Sequence, residues 1–337
     1  MKNSSKWAIA AGVTVLLVSG AGLAVGDYVY TSGTVFPSAI NADDVDNTPE
    51  TFHTPAAGEG PFEGPGWDKW VNHDLSAWWM TDVPYEAVTI PVADGVDLSA
   101  WWLTPADGNG KTVIVTHGIG TSRRDFNALL PSSMLVKSGF NVLLVDMRDT
   151  GESTCTDGRH SAGQEESDDF AAVADWLVAE KGVTAQSLGM FGVSGGAITT
   201  SLLPAKTDNV SAFAMEGTIF DFNAAATKEV EFQGFPGFLW QLALVSAQLF
   251  HGVNLTETSV PDAIVAAGDR PMLILHGDAD QRLDYQSSVD FAEYAKSVGA
   301  DITLETFHGA DHTEGMLTET DRYAQVLSAF FDNALTN

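Results

Sequence analysis

Eight short apolar runs, separated by segments of helical length, constrain this chain more than any other feature of its sequence. They occupy 85–92, 96–103, 112–118, 141–147, 187–194, 211–217, 271–277 and 302–308. Asp94-Gly95, between the first two, is a hairpin signal. From there strands alternate with helical patterns around 126–136 and 170–178, and a last helical pattern covers 322–331. An antiparallel start followed by repeated β-α units predicts an α/β fold: an open, mostly parallel sheet flanked by helices on both faces. Residues 81–337 suit one such domain. The rhythm breaks once, where about fifty residues separate the sixth and seventh runs, far beyond an ordinary crossover. This insertion, about 218–265, contains no charge between 232 and 256. Pro236, Gln241, Gln248, His251 and Asn254 argue against a membrane span there, so a helical cap is expected.

The N-terminal part is different material. Lys2 and Lys6 precede nineteen uncharged residues, 7–25. As a helix they would rise ~28 Å, close to the ~30 Å hydrocarbon core of a bilayer. Positive charge before this run and Asp27 after it predict that the body of the chain is exported. A retained transmembrane anchor over 1–26 is favoured over a signal peptide cut near Ala24-Val25-Gly26. Residues 27–80, with Pro37, Pro49, Pro55, Pro61 and Pro65 among glycines and acids, read as a tether. Trp67, Trp70, Trp78 and Trp79 are expected to dock its last part. Forty-five acidic against sixteen basic side chains give a net charge of −29, which speaks against a nucleic-acid partner. One cysteine, Cys155, excludes an intramolecular disulfide or a Cys-based zinc cluster.

The chemistry concentrates at the ends of the apolar runs. Gly192-Val193-Ser194-Gly195-Gly196 is a G-x-S-x-G between a strand and a helical segment. A serine on so sharp a turn exposes its hydroxyl above the sheet, and the flanking glycines leave room for the turn. The Gly195 N–H then points where an oxyanion would form. Alone, this pattern is as often an ordinary small-residue turn. Three other strand ends supply context, because ligands of open α/β sheets gather at the carboxyl edge. His117-Gly118-Ile119-Gly120 offers a loop with a second donor, the Ile119 N–H, and a structural role for the His117 side chain. His276-Gly277-Asp278-Ala279-Asp280 offers two carboxylates, and His308-Gly309-Ala310-Asp311-His312 two histidines. The chain order Ser, Asp, His is that of the nucleophile-elbow enzymes.

Over about 85–335 these motifs resemble the α/β-hydrolase superfamily. The segments THGIGTSRRDF, HGDADQ and GADHT are similar to those of bacterial membrane-anchored or secreted serine hydrolases. The resemblance implies an α/β-hydrolase fold with a helical cap, Asp280 rather than Asp278 as the acid, and His312 rather than His308 as the base. DMRDTGES resembles the family's D-x-R-G-x-G-x-S stretch, with Asp149 where glycine is usual. A serine at the elbow, in place of the cysteine or aspartate that the fold also hosts, restricts the chemistry to acyl transfer.

The expected function is a serine hydrolase cleaving carboxylic esters on Ser194, His312 and Asp280, with Ile119 and Gly195 as the oxyanion hole and no metal or cofactor. Its partners would be a small-molecule ester or acyl substrate, no nucleic acid, and the membrane through the N-terminal helix. A prolyl-oligopeptidase-like peptidase, although such enzymes usually carry a large extra domain, an envelope acyltransferase and a catalytically idle binding fold are the alternatives. Phe235, Phe238 and Trp240 are candidates to line an acyl pocket, or equally to bury one face of a helix. Arg123 and Arg124 could meet an anionic substrate, but pairing with neighbouring carboxylates is favoured in so acidic a chain. Trp101 and Trp102, adjacent on a strand, face opposite sides. Gly110-Lys111-Thr112 fails as a P-loop, because Pro105 occupies the position of the required glycine and a strand follows.

Overall fold

The computed structural model describes residues 21–32, 46–56, 69–232 and 234–337, in two compact units. One comprises Phe36–Phe220 and Thr258–Asn337; the other comprises Met1–Val35 and Asp221–Glu257. The strands are β1 (Tyr85–Ala93), β2 (Val96–Leu103), β3 (Thr112–Thr116), β4 (Asn141–Val145), β5 (Leu188–Val193), β6 (Ala212–Glu216), β7 (Met272–Gly277) and β8 (Ile302–Phe307). Helices α1 (Phe126–Lys137), α2 (Gln164–Glu180) and α3 (Gly195–Leu202) precede the insertion. Helices α4 (Phe222–Phe232) and α5 (Leu239–Ser246) lie within it, and α6 (Val260–Ala267), α7 (Tyr285–Ser297), α8 (Gly315–Thr318) and α9 (Thr320–Ala334) follow.

The larger unit is an eight-stranded sheet in the order β1-β2-β4-β3-β5-β6-β7-β8. β2 pairs antiparallel with β1 and with β4, and all later pairs are parallel. Strands covered on both faces need apolar residues at every position, which is why TVIVT and NVLLV are continuous runs. Val113, Val115, Leu144 and Phe191 face a core with Leu129 of α1 and Leu327 and Phe331 of α9. Ile114, Leu143, Met190 and Phe213 face the opposite core, with Phe170 of α2, Ile264 of α6 and Phe291 of α7. Trp101 and Trp102 are both buried, one in each core.

Of the expected tether, the described residues 46–56 and 69–80 belong to this unit and pack on its core. Phe52, Leu75 and Met80 are buried in the first core. Trp79 donates its indole N–H to the Phe52 carbonyl at 2.8 Å, and Trp70 donates to the His312 carbonyl at 2.9 Å. Each indole thus buries a large apolar ring and places one donor on a backbone carbonyl. Trp67 lies outside the described residues.

The smaller unit joins the insertion to the N-terminal segment, and both of its edges differ from expectation. The insertion spans 221–257 rather than 218–265, because Val260, Ile264 and Ala267 of α6 bury one helical face in the second core. Residues 21–32 are helical, so one helix runs through the expected anchor–tether boundary at 26. Gly22 and Gly26, one turn apart, face Leu242 of α5 so closely that a Cβ at Gly26 would collide with the Leu242 backbone. Ser246 adds a hydrogen bond to the Leu23 carbonyl at 2.8 Å, and His251 meets Asp27 at 2.7 Å. The apolar run 7–25 lies mostly outside the described residues; among those described, no helix is long and apolar enough to cross a membrane. Of the aromatic residues considered for an acyl pocket, Trp240 is buried, stacks edge-on against Phe222 and donates to Asn223 at 3.2 Å. Phe235 meets Tyr28 edge-on, and Phe238 is exposed.

Gly189 of β5 lies directly against the Phe331 ring of α9. A Gly189→Val substitution therefore forces that ring aside, and the urea midpoint should fall by the equivalent of ~1–3 kcal/mol.

Candidate active site

The turn between β5 and α3 holds Ser194 at φ 53°, ψ −110°, a conformation that L-residues avoid. Neighbouring small residues permit it. A Cβ on Gly192 would collide with the Gly196 carbonyl, and one on Gly196 would press on the His117 carbonyl. Backbone bonds fix the turn: Ser194 N–H donates to the Glu216 carbonyl at 2.8 Å and Gly196 N–H to the His117 carbonyl at 3.0 Å. The serine hydroxyl is thereby fixed at the carboxyl edge of the sheet, half-buried.

From Ser194 a chain of hydrogen bonds runs through three loops. His312, after β8, lies with Nε2 3.0 Å from Ser194 Oγ and Nδ1 2.8 Å from Asp280 Oδ2. Asp280, after β7, is fully enclosed as a side chain. Its Oδ1 accepts the N–H groups of Arg282 and Leu283, each at 2.7 Å, and Oδ2 also meets His276 Nε2 at 3.0 Å. Burial pushes the Asp280 carboxyl up, but hydrogen bonds from His276 and His312, the His312 charge and the Leu283 N–H outweigh it. The group is held well below the usual carboxylate range. An ionised Asp280 accepts from His312 Nδ1–H, which leaves Nε2 as the acceptor facing the serine. The alternative pair, Asp278 and His308, meet each other at 2.7 Å at the surface.

His276 is a partner that the sequence reasoning missed. It is buried on β7, with Nδ1 2.6 Å from Ser288 Oγ. Because the carboxylate only accepts, His276 donates from Nε2 and accepts a hydrogen bond from the Ser288 O–H at Nδ1. Its position four residues before Asp280 was the available signal, hidden because the same histidine ends a buried strand.

The loop after β3 brings Ile119 beside the elbow. A Cβ at Gly195 would stand 2.9 Å from the Ile119 nitrogen, and one at Gly118 would stand 3.8 Å from Ser194 Oγ. The two expected donors, Ile119 N–H and Gly195 N–H, are thus neighbours at the serine. His117 braces this loop. Its Nε2 accepts the Met147 N–H at 3.1 Å, so Nδ1 carries the proton and donates to the Gly118 carbonyl at 2.8 Å. Burial pushes its pKa down, which suits this neutral, structural role.

Arg123 and Arg124 are occupied: Arg123 is buried and bonded to Asp146 and Glu152, Arg124 bonds Glu152 at 2.9 Å, and both lie over the Trp101 ring. Asp149 sits at φ 62°, the left-handed conformation for which glycine is the usual choice. Its carboxylate accepts the N–H groups of Thr156, Asp157 and Gly158, which suits a residue type that tolerates this region. Among the described residues no cluster of three metal-ligating side chains occurs.

Behind the elbow, Glu216 at the end of β6 is buried and accepts from Tyr323 of α9 at 2.9 Å. Burial pushes its carboxyl up to about 8, against the Tyr323 bond and with help from the Asp280 charge.

An eight-stranded α/β sheet, a strained serine between β5 and α3, and a histidine and a carboxylate on the following loops define an α/β-hydrolase-fold serine hydrolase. The prolyl oligopeptidase family matches residues 129–337, and the chain belongs to that family. An esterase of Pyrococcus furiosus is similar in structure, at 22% identity with a TM-score of 0.62, covering 79% of this chain and 97% of that one. The α/β hydrolase GrgF from Penicillium is similar at 15% identity and TM-score 0.60, covering 75% and 99%. A dienelactone hydrolase from Anabaena variabilis is similar at 19% identity and TM-score 0.54, covering 75% and 99%. No curated protein sequence matches significantly.

Glu216 makes stability depend on pH. Between the ordinary glutamate value of 4.5 and about 8, the unfolded chain has released a proton that the native protein retains. Native stability therefore falls across that window and levels off above it. A Glu216→Gln variant should lack this component, so its melting temperature should gain on the wild type as pH rises through the window.

Proposed function

We propose that the protein hydrolyses carboxylic esters through an acyl-enzyme on Ser194, with His312 as base and Asp280 as the group that orients it. The observation that carries this reading is the continuous relay, 3.0 Å from Ser194 Oγ to His312 Nε2 and 2.8 Å from His312 Nδ1 to Asp280. Ser194 Oγ attacks the carbonyl carbon while its proton passes to His312 Nε2. The Nδ1 proton stays on the imidazolium, whose charge the ionised Asp280 balances. The Ile119 and Gly195 N–H groups hold the oxyanion of the tetrahedral intermediate. Collapse expels the alcohol, which takes the proton from Nε2, and water then repeats the cycle on the acyl-enzyme.

Membership of the prolyl oligopeptidase family favours a second reading, cleavage of a peptide bond by the same residues. Similarity to esterase structures favours the ester. A third, acyl transfer, differs only in whether an alcohol or water resolves the acyl-enzyme. We further propose that the N-terminal helix attaches the protein to the cell membrane, with the hydrolase outside the cytoplasm. Support comes from the charge-free run 7–25 between Lys6 and Asp27. The test is fractionation with protease protection: a tag after residue 337 that stays protected in intact cells overturns this orientation.

A fluorophosphonate should label Ser194, and Ser194→Ala should lower nitrophenyl-ester hydrolysis by at least ~10³-fold. Faster turnover of a peptidyl-proline anilide than of any ester in a chain-length series would overturn the esterase reading in favour of the peptidase. His276→Leu removes one charge-assisted hydrogen bond from Asp280, worth ~1.5–3 kcal/mol. The kcat for the ester should drop ~10–100-fold if that loss falls on the transition state, with fluorophosphonate labelling slowed but still confined to Ser194.

A further inference from the structure

The smaller unit holds a surface unlike any other described part of the molecule. Of the nine large apolar side chains exposed among the described residues, six belong to it; the others are single valines, Val178, Val265 and Val298. Phe238 is 70% exposed, Leu249 64%, Tyr28 61% and Phe250 57%. Scattered apolar residues are ordinary on a protein surface, but aromatic and leucine side chains concentrated in one small unit are not.

The pattern follows helical periodicity. From Phe238, which caps the start of α5, through α5 and its short π-helical continuation, Ala247–His251, three stripes separate. Trp240, Ala243 and Ala247 are buried; Leu242 and Ser246 meet the helix at 21–32; Phe238, Val245 and Leu249 face outward. Outward positions on a helix of a water-soluble unit are normally polar. On the partner helix, Gly22 and Gly26 face the seam while Val25 and Tyr28, three apart, are exposed. Its one formal charge, Asp27, is bonded to His251. The charges of the insertion lie elsewhere: on Asp221, Lys228, Glu229 and Glu231 at or in α4, and on Glu257 at its end.

We propose that α5, its π-helical continuation and helix 21–32 form a face that lies in the interfacial layer of a lipid bilayer, holding the insertion itself at the membrane. Three observations select a bilayer. The helix at 21–32 is reached directly from the uncharged run that begins at residue 7, so the chain delivers this face to wherever that run resides. A chain of net charge −29 is repelled by anionic lipid headgroups, and the charge-free span 232–256 lacks the carboxylates that cause that repulsion. Exposed Phe and Leu beside a Tyr match the side chains that enter the headgroup–acyl boundary, at a depth of ~5–10 Å. This inference rests on the membrane attachment proposed above and goes beyond it by assigning the contact to the insertion.

The test uses the full chain carrying Cys155→Ser, because Cys155 is exposed and would compete for label. Environment-sensitive fluorophores are placed singly at Leu249→Cys, Tyr28→Cys and, as a control in the β1–β2 turn, Asp94→Cys. Each protein is reconstituted in phosphatidylcholine–phosphatidylglycerol vesicles with or without lipids bearing a nitroxide on the acyl chain. Labels at 249 and 28 should shift to the blue and lose most of their fluorescence to the nitroxide, while the label at 94 changes in neither respect. Flotation with the vesicles, combined with labels at 249 and 28 as water-exposed as at 94, overturns the inference and leaves the anchor standing. Failure to float overturns both. Blue-shifted labels that ignore the nitroxide and vary with protein concentration would assign the face to a second copy of the chain and overturn the bilayer.

Discussion

The backbone of Ser194, held at φ 53° and ψ −110°, is the constraint from which the rest of the site follows. A residue in that conformation needs its neighbours small, hence Gly192, Gly195 and Gly196. It also needs its backbone groups engaged by adjacent strands, hence the bonds to the Glu216 and His117 carbonyls. The consequences extend outward through contact. Because Gly195 has no side chain, the Ile119 loop can approach; because that loop approaches, His117 is enclosed and must be a neutral, doubly bonded brace. The strain is affordable because β5 sits between β3 and β6 in the middle of the sheet, with both faces buried.

The acidity of the chain poses a second problem, which the fold solves one carboxylate at a time. Asp280 is ionised and saturated, with two backbone and two imidazole donors. Asp146 is paired with the equally buried Arg123, and Asp149 with a row of backbone N–H groups. Glu216 takes another route: buried, accepting from Tyr323 and facing the Asp280 charge, it keeps its proton to about pH 8. One sheet edge therefore holds a carboxylate whose charged form is favoured and another that keeps its proton to about pH 8, set apart by the donors each collects.

Much of this was legible in the order of residues. The strand runs at 112–118 and 141–147 are apolar because both faces are covered, and that pattern survives in one dimension. The elbow is legible because its glycines are demanded within two residues of the serine. The base and acid were visible as His and Asp at strand ends, but the residues left two of each open, and it took the family resemblance to choose between them. Structure shows the physical difference: Asp278 and His308 bond each other at the surface, while Asp280 and His312 are enclosed and directed at Ser194. His276 and Glu216 escaped notice because a buried polar residue within an apolar strand looks like any other strand residue until its partners on α7 and α9 are known.

Short-range demands, then, are what the amino-acid order determined alone: strand periodicity, the turn at Asp94-Gly95, the glycines around Ser194 and the charge-free runs. These depend on neighbours within a few positions, so the local pattern carries them. Tertiary structure decided what depends on groups far apart in the chain. It set the inner edge of the insertion, because α6 finds a core to bury its apolar face. It drew the N-terminal helix across residue 26 and onto α5, because two glycines and Leu242 fit together over more than two hundred residues of separation. It also assigned each carboxylate its charge state, because burial and donor count exist only once the chain has folded.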